Sequence, residues 1–138
     1  MYLVVDLTER NVIKLRLVSK DCTRERAYVG RNTDLLLSLD KFFKLCRIEV
    51  SNLLGVAVHT GEGSFTSVRV AITWANAFFH TTSRPVISLK SGDSEDFADL
   101  EKRFNKTPSA YVSATYASGP NISENRSLWH TIKQKVAN

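Results

Sequence analysis

Residues 2–7 read Tyr-Leu-Val-Val-Asp-Leu and are apolar except for Asp6. A continuous apolar run of this kind predicts a strand covered on both faces. After a polar turn at Glu9-Arg10-Asn11, residues 12–18 alternate Val-Ile-Lys-Leu-Arg-Leu-Val, the period of a half-buried strand. A polar stretch at 19–24 predicts another turn, and a third strand is expected at about 26–29, ending at Gly30. Three such runs on short turns predict an antiparallel meander.

The period then changes. From Thr33 or Asp34 to Cys46, residues Leu35, Leu39, Phe42 and Cys46 fall on one helical stripe. Leu36 and Phe43 widen the stripe, Asp40, Lys44 and Arg47 point away, and Leu37 stands out of pattern. Asn32, Thr33 and Asp34 offer capping side chains. Residues 51–54 lead into a fourth strand at Val56-Ala57-Val58. Gly61 and Gly63 follow and permit a sharp turn with positive φ. Ser64 is placed to cap the next helix, expected over about 65–79.

That helix is apolar on two sides. Val68, Ala71, Ile72, Ala75 and Phe79 make one face, and Val70, Trp74 and Ala77 make another roughly opposite. Arg69, Thr73 and Asn76 form a narrow polar stripe. Two apolar faces require two partners, of which the sheet is one. A fifth strand is expected at 85–89, with Pro85 at its start. Beyond Gly92 a short amphipathic helix is expected from Ser94 to Phe104, with Phe97, Leu100 and Phe104 on one side. A further strand is expected over 110–116, a break at 118–121, a loose segment over 118–127 and a last helix over 128–136. The order β-β-β-α-β-α-β predicts an α/β fold with a mixed five-stranded sheet. Residues 1–92 are expected to form the domain and 93–138 a C-terminal extension.

Composition narrows the function classes. The chain has 138 residues, 43% hydrophobic and 24% charged, which is a globular balance for one domain. The net charge is +5, but basic and acidic residues are interspersed. That pattern disfavours a dedicated nucleic-acid patch. The opening residues show no basic and apolar leader, and no apolar run reaches the ~20 residues of a membrane span. Cys22 and Cys46 are expected to be reduced thiols. Two glycosylation-type triplets, at Asn121 and Asn125, are then chance matches. These readings lead to a cytoplasmic expectation without membrane contact.

Catalytic chemistry finds little support in the residues. His59, His80 and His130 have no helical metal-ligand spacing, and no Cys-x-x-Cys occurs. No metal, cofactor or catalytic residue is expected. Cys46 sits on an apolar stripe and reads as core. Gly61-Glu62-Gly63-Ser64-Phe65 is not a Gly-x-Ser-x-Gly nucleophile elbow, and Ser64 is explained as a cap. The glycine turn before a helix is a possible anion cradle, but Glu62 places a negative charge where a phosphate would lie.

The run Gly61-Glu62-Gly63-Ser64-Phe65-Thr66-Ser67-Val68-Arg69-Val70 resembles the Gly-Pro-Gly-Ser-Phe-Thr-Gly-Leu-Arg-Ile signature of the TsaB (YeaZ) family. Leu3-Val4-Val5-Asp6-Leu7-Thr8 is similar to that family's opening strand with its Asp-Thr-Ser. Arg84-Pro85-Val86-Ile87-Ser88-Leu89 is similar to its Leu-Pro-Val-Val-x-Val strand. The resemblance covers about residues 1–92. It departs at Glu62 for proline, at Ser67 for glycine, and at Asn32-Thr33 where His-Ser is usual. It implies a ribonuclease-H-like half-fold of the actin-like ATPase superfamily. It also implies a non-catalytic scaffold in tRNA threonylcarbamoyladenosine modification. The implied partner is a TsaD-type catalytic subunit, with a TsaE-type ATPase assisting and tRNA contacted only indirectly. Full-length relatives continue into a second domain of the same kind, for which the 46 residues after 92 are too few. Half a nucleotide site is then expected to be missing.

The resemblance places a partner or homodimer interface on the two helices, at Leu36, Phe43, Arg69, Val70, Thr73, Trp74 and Ala77. It places a motif loop at Asp6, Gly61, Gly63, Ser64, Phe65 and Thr66. The competing expectation is that the tail helix, with Trp129 and Ile132, folds back over Trp74. Two other functions stay open: a degenerate kinase-like half that binds nucleotide, and a homodimeric module unrelated to tRNA.

Overall fold

The computed structural model describes residues 1–61, 63–106 and 111–113. Five strands form one sheet: β1 Tyr2–Asp6, β2 Val12–Val18, β3 Thr23–Val29, β4 Gly55–His59 and β5 Val86–Leu89. Three helices accompany them: α1 Leu35–Cys46, α2 Phe65–Thr82 and α3 Phe97–Lys106. The strand order is β3-β2-β1-β4-β5. The first three strands are an antiparallel meander, and β1, β4 and β5 run parallel. The protein is therefore α/β with a mixed five-stranded sheet.

Alternation along the strands sorts the two sheet faces. Leu3, Val5 and Leu7 of the first run join Ile13, Leu15, Leu17, Val56 and Val58 beneath α1 and α2. Tyr2 and Val4 point the other way and meet Val18, Ala57, Ile87 and Leu89 beneath α3. The expected stripe of α1, Leu35, Leu39, Phe42 and Cys46, is buried at every position. Leu37 is exposed as its phase dictates, and so is Leu45.

Helix α3 seals the second sheet face. Its Leu100 is fully buried and Phe104 nearly so. Phe104 stacks on Tyr2 with ring centroids 4.5 Å apart. It also lies directly on β4: a Cβ at Gly55 would come within 2.6 Å of the Phe104 ring and 2.9 Å of the Pro85 carbonyl. The residues just past Gly92 thus share one core with the first strand.

Several sequence expectations need correction. Strand β3 begins at Thr23, three residues early, because Thr23, Arg24 and Glu25 pair with Val18, Leu17 and Arg16. It is an edge strand whose side chains, except Tyr28, are exposed, so no alternation marks it. Helix α2 continues to Thr82, and its core face closes on Phe78; Phe79 is half-buried against Tyr111. Residues 50–52, before β4, form a 3-10 turn. Asp34 makes no side-chain cap to α1; its carboxylate instead accepts the Arg31 amide at 2.9 Å. Residues 111–113 are not part of a strand and lie outside the sheet. The rest of that expected strand, the break, the loose segment, the tail helix, His130 and both Asn triplets lie outside the described residues, as does Glu62.

Candidate functional site

Two glycines and a serine aim α2. Gly61 and Gly63 adopt φ of 88° and 86°. A side chain at Gly63 would also strike the Thr8 backbone, 2.8 Å from its Cα. Thr8 is fixed in turn by Asp6, whose Oδ1 accepts from the Thr8 amide at 2.8 Å and from its hydroxyl at 2.5 Å. Ser64 caps the helix by accepting the Ser67 amide at 3.1 Å. The end of β1, the glycine turn and the start of α2 are thus one joint. Gly63→Ala is expected to cost about 1–3 kcal/mol through backbone strain alone, read as a lowered denaturant midpoint at unchanged slope.

From this joint α2 presents Val68, Ala71, Ile72, Ala75 and Phe78 to the sheet. Its opposite side lines a groove of about 630 Å³ shared with the start of α1. Val70, Trp74 and Ala77 form the apolar wall on α2, with Arg69 and Thr73 beside them. Leu35 and Leu36 face them from α1, and Asn32 and Thr33 from the turn before it. Leu36 is 68% exposed and, with Val70, Trp74 and Ala77, makes the open groove apolar. Trp74 rests on Phe78 with ring centroids 5.8 Å apart. The guanidinium of Arg69 lies 5.3 Å from the Phe65 ring centre, a cation–π distance that holds the charge on the groove wall.

The structure thus brings together Leu36, Arg69, Val70, Thr73, Trp74 and Ala77, with Phe65 and Thr66 at one end. Phe43 does not line the groove; like Val70 and Trp74 it is half-buried and packed against the core. Ser64 borders a separate polar cavity of about 450 Å³, together with Thr8, Arg10 and Arg31. Asp6 lies apart from both, in a small polar recess between Lys14, Arg16, Glu25 and Glu95. Asn76 leaves the expected polar stripe. Its amide accepts the Val112 N–H at 2.8 Å and donates to the Val112 carbonyl at 3.0 Å, pinning that residue as a neighbouring strand would.

Two groupings went unread in the sequence. His59, at the end of β4, pairs with Glu95, 36 residues later. Cys22 and Cys46, both free thiols, border one small cavity between the β2–β3 turn and the end of α1. No local periodicity signals either. Among the described residues no cluster of three metal-ligating side chains occurs, and no helix is long and apolar enough to cross a membrane.

No protein-family model matches the chain. No curated protein matches it. Solved structures do. YeaZ from Pseudomonas aeruginosa superposes with a TM-score of 0.58 at 22% identity, over 64% of this chain and 43% of that one. A crystal structure of an uncharacterised protein with similarity to peptidase YeaZ, from Pseudomonas aeruginosa, gives a TM-score of 0.58 at 22% identity, over 64% and 42%. The chain spans less than half the length of these solved proteins. The likeness is one of fold: this protein has a YeaZ-like fold.

Proposed function

We propose that the protein is a non-catalytic scaffold of the TsaB (YeaZ) type, built on a ribonuclease-H-like half-fold. In this reading it docks a TsaD-type catalytic subunit for tRNA threonylcarbamoyladenosine modification, with tRNA contacted only through that subunit. The observation that carries it is the open apolar groove between α1 and α2. A helix with a full core face and a second apolar face is built to be covered. The YeaZ-like fold supports the reading. The joint serves to aim the helix, and the functional surface is the helix's outer side.

The test is size-exclusion chromatography of the full chain with the TsaD-type protein of the same cell. A joint peak is expected at low micromolar concentration. Separate elution at all ratios would contradict the partnership, and a stable homodimer in its place would favour the dimeric module. Titration with ATP and magnesium is expected to give no heat. Saturable binding sensitive to substitution of Arg10 or Arg31 would favour the nucleotide-binding half instead.

A further inference from the structure

A chain of charged groups ties the lead-in of α3 to the sheet. His59 and Glu95 are both largely buried, with side chains 12% and 19% exposed. His59 Nε2 lies 2.5 Å from Glu95 Oε1. The other Glu95 oxygen meets Arg16 Nη1 of β2 at 2.9 Å. Arg16 in turn donates from Nε to Glu25 of β3 at 2.7 Å. Glu95 therefore fastens residues 90–96 to β2 and β4 just before α3 begins. A second clamp holds the same loop, with Asp93 accepting from Arg103 of α3 and from the Lys90 amide, each at 2.8 Å. Of the two, only the first contains a group that titrates near neutrality.

We propose that His59 and Glu95 form a proton-operated latch. With the imidazolium present the latch holds residues 93–96 against the end of β4; when the ring loses its proton that attachment loosens, while Arg16 still meets Glu95, Arg103 still meets Asp93, and Leu100 and Phe104 keep α3 on the sheet.

The charges around the ring come from every neighbouring element. Asp6 of β1 and Asp93 and Glu95 of the loop act on the ring itself; Arg16 of β2 pairs with Glu95, Arg103 of α3 with Asp93, and Lys14 of β2 and Glu25 of β3 line the recess that Glu95 shares with Asp6. The Glu95 hydrogen bond raises the His59 pKa above its ordinary 6.5; burial opposes this, and the charges of Asp6, Glu95 and Asp93 add to the rise. The His59 hydrogen bond lowers Glu95 below its ordinary 4.5, against burial and with help from Arg16. A raised histidine contributes stability that is complete below pH 6.5 and is lost as pH climbs through the folded value. A lowered carboxylate contributes stability present above pH 4.5 and lost as pH falls through its folded value. The latch is thus tightest between those limits and slackens on the alkaline side. A neutral imidazole still donates one hydrogen bond, so the loss is of charge assistance, not of all contact.

Proton NMR of the full chain tests the latch. The His59 ring, identified by its absence in His59→Gln, should titrate with a midpoint above 6.5. In Glu95→Gln, which keeps the shape of the side chain, that midpoint should fall. Amide protection at Asp93, Asp96 and Leu100, whose N–H groups donate to Lys90, Ser94 and Asp96, corrected for intrinsic exchange, should drop roughly tenfold from pH 6 to pH 9 in the native chain, since ~1.4 kcal/mol of charge assistance is tenfold. It should stay level in His59→Gln. A native midpoint at or below 6.5, a midpoint unmoved in Glu95→Gln, or equal loss of protection in His59→Gln would each overturn the latch.

Discussion

Ala77→Glu is expected to abolish co-elution with the TsaD-type subunit while leaving the chain folded. Ala77 is exposed, sits mid-helix in α2 and lines the groove beside Trp74. Its substitution removes no core contact, and glutamate is a good helix former. Once the groove is covered, however, a carboxylate is buried among Val70, Trp74 and Leu36, and Arg69 is the one charged side chain among the described residues of the lining. Arg69 is already held along the Phe65 ring. Burying an ill-paired polar group costs about 3 kcal/mol, which is roughly a hundredfold in affinity. Trp74→Ala should weaken association comparably by removing an aromatic anchor. It should also cost the free protein some stability, since Trp74 packs on Phe78. A melting temperature unchanged in Ala77→Glu but lowered in Trp74→Ala, with binding lost in both, separates docking from folding.

Leu100→Ala should be the most damaging truncation on the other side of the sheet. Leu100 is completely buried in the cluster of Tyr2, Val4, Ala57 and Phe104. Removing a buried leucine costs about 2–5 kcal/mol, depending on how far the site collapses. For a domain of this size that lowers the melting temperature by roughly 8–20 °C. Tyr2 and Phe104 are stacked rings and Gly55 leaves Phe104 no slack, so little collapse is available. Leu37→Ala is the control: the same deletion on an exposed position of α1 should change stability by less than about 0.5 kcal/mol. A loss under 1 kcal/mol in Leu100→Ala would show that α3 contributes little to the sheet's second face.

Burial periodicity carried most of the fold. The continuous apolar run at the start became a strand buried on both sides, and the alternating run at 12–18 became its half-buried neighbour. The stripe Leu35-Leu39-Phe42-Cys46 predicted the buried face of α1 because a helix covering a sheet repeats every 3.6 residues. Ser64 and the two glycines were legible because capping and positive φ are local chemistry. The failures have a common cause. Charged β3 is held by ladder bonds to β2, which leave no mark on its own side chains. Phe78 and Phe79 differ by one position: Phe78 closes the core face, and Phe79, at its margin, meets Tyr111. Asn76 bonding Val112 and His59 bonding Glu95 each bridge 36 residues, a distance at which only the folded chain brings groups together.

For the candidate site, the same logic separates what the helix wheel revealed from what it could not. The wheel grouped Val70, Trp74 and Ala77 and set them opposite the core face. Leu36 joins them because α1 begins beside α2, a consequence of the turn at 32–34 rather than of the helix's own pattern. Phe43, two turns further along α1, is on the same widened stripe by sequence but does not reach the groove. The groove is therefore confined to the first turn of α1.

Amide hydrogen exchange on the chain with and without the TsaD-type subunit tests the central claim most directly. Docking in the groove predicts new protection confined to residues 32–36 and 65–77. No change is expected at residues 93–104, beneath the opposite sheet face. Protection centred on 93–104, or on Thr8, Arg10 and Arg31 around the polar cavity, would contradict the account.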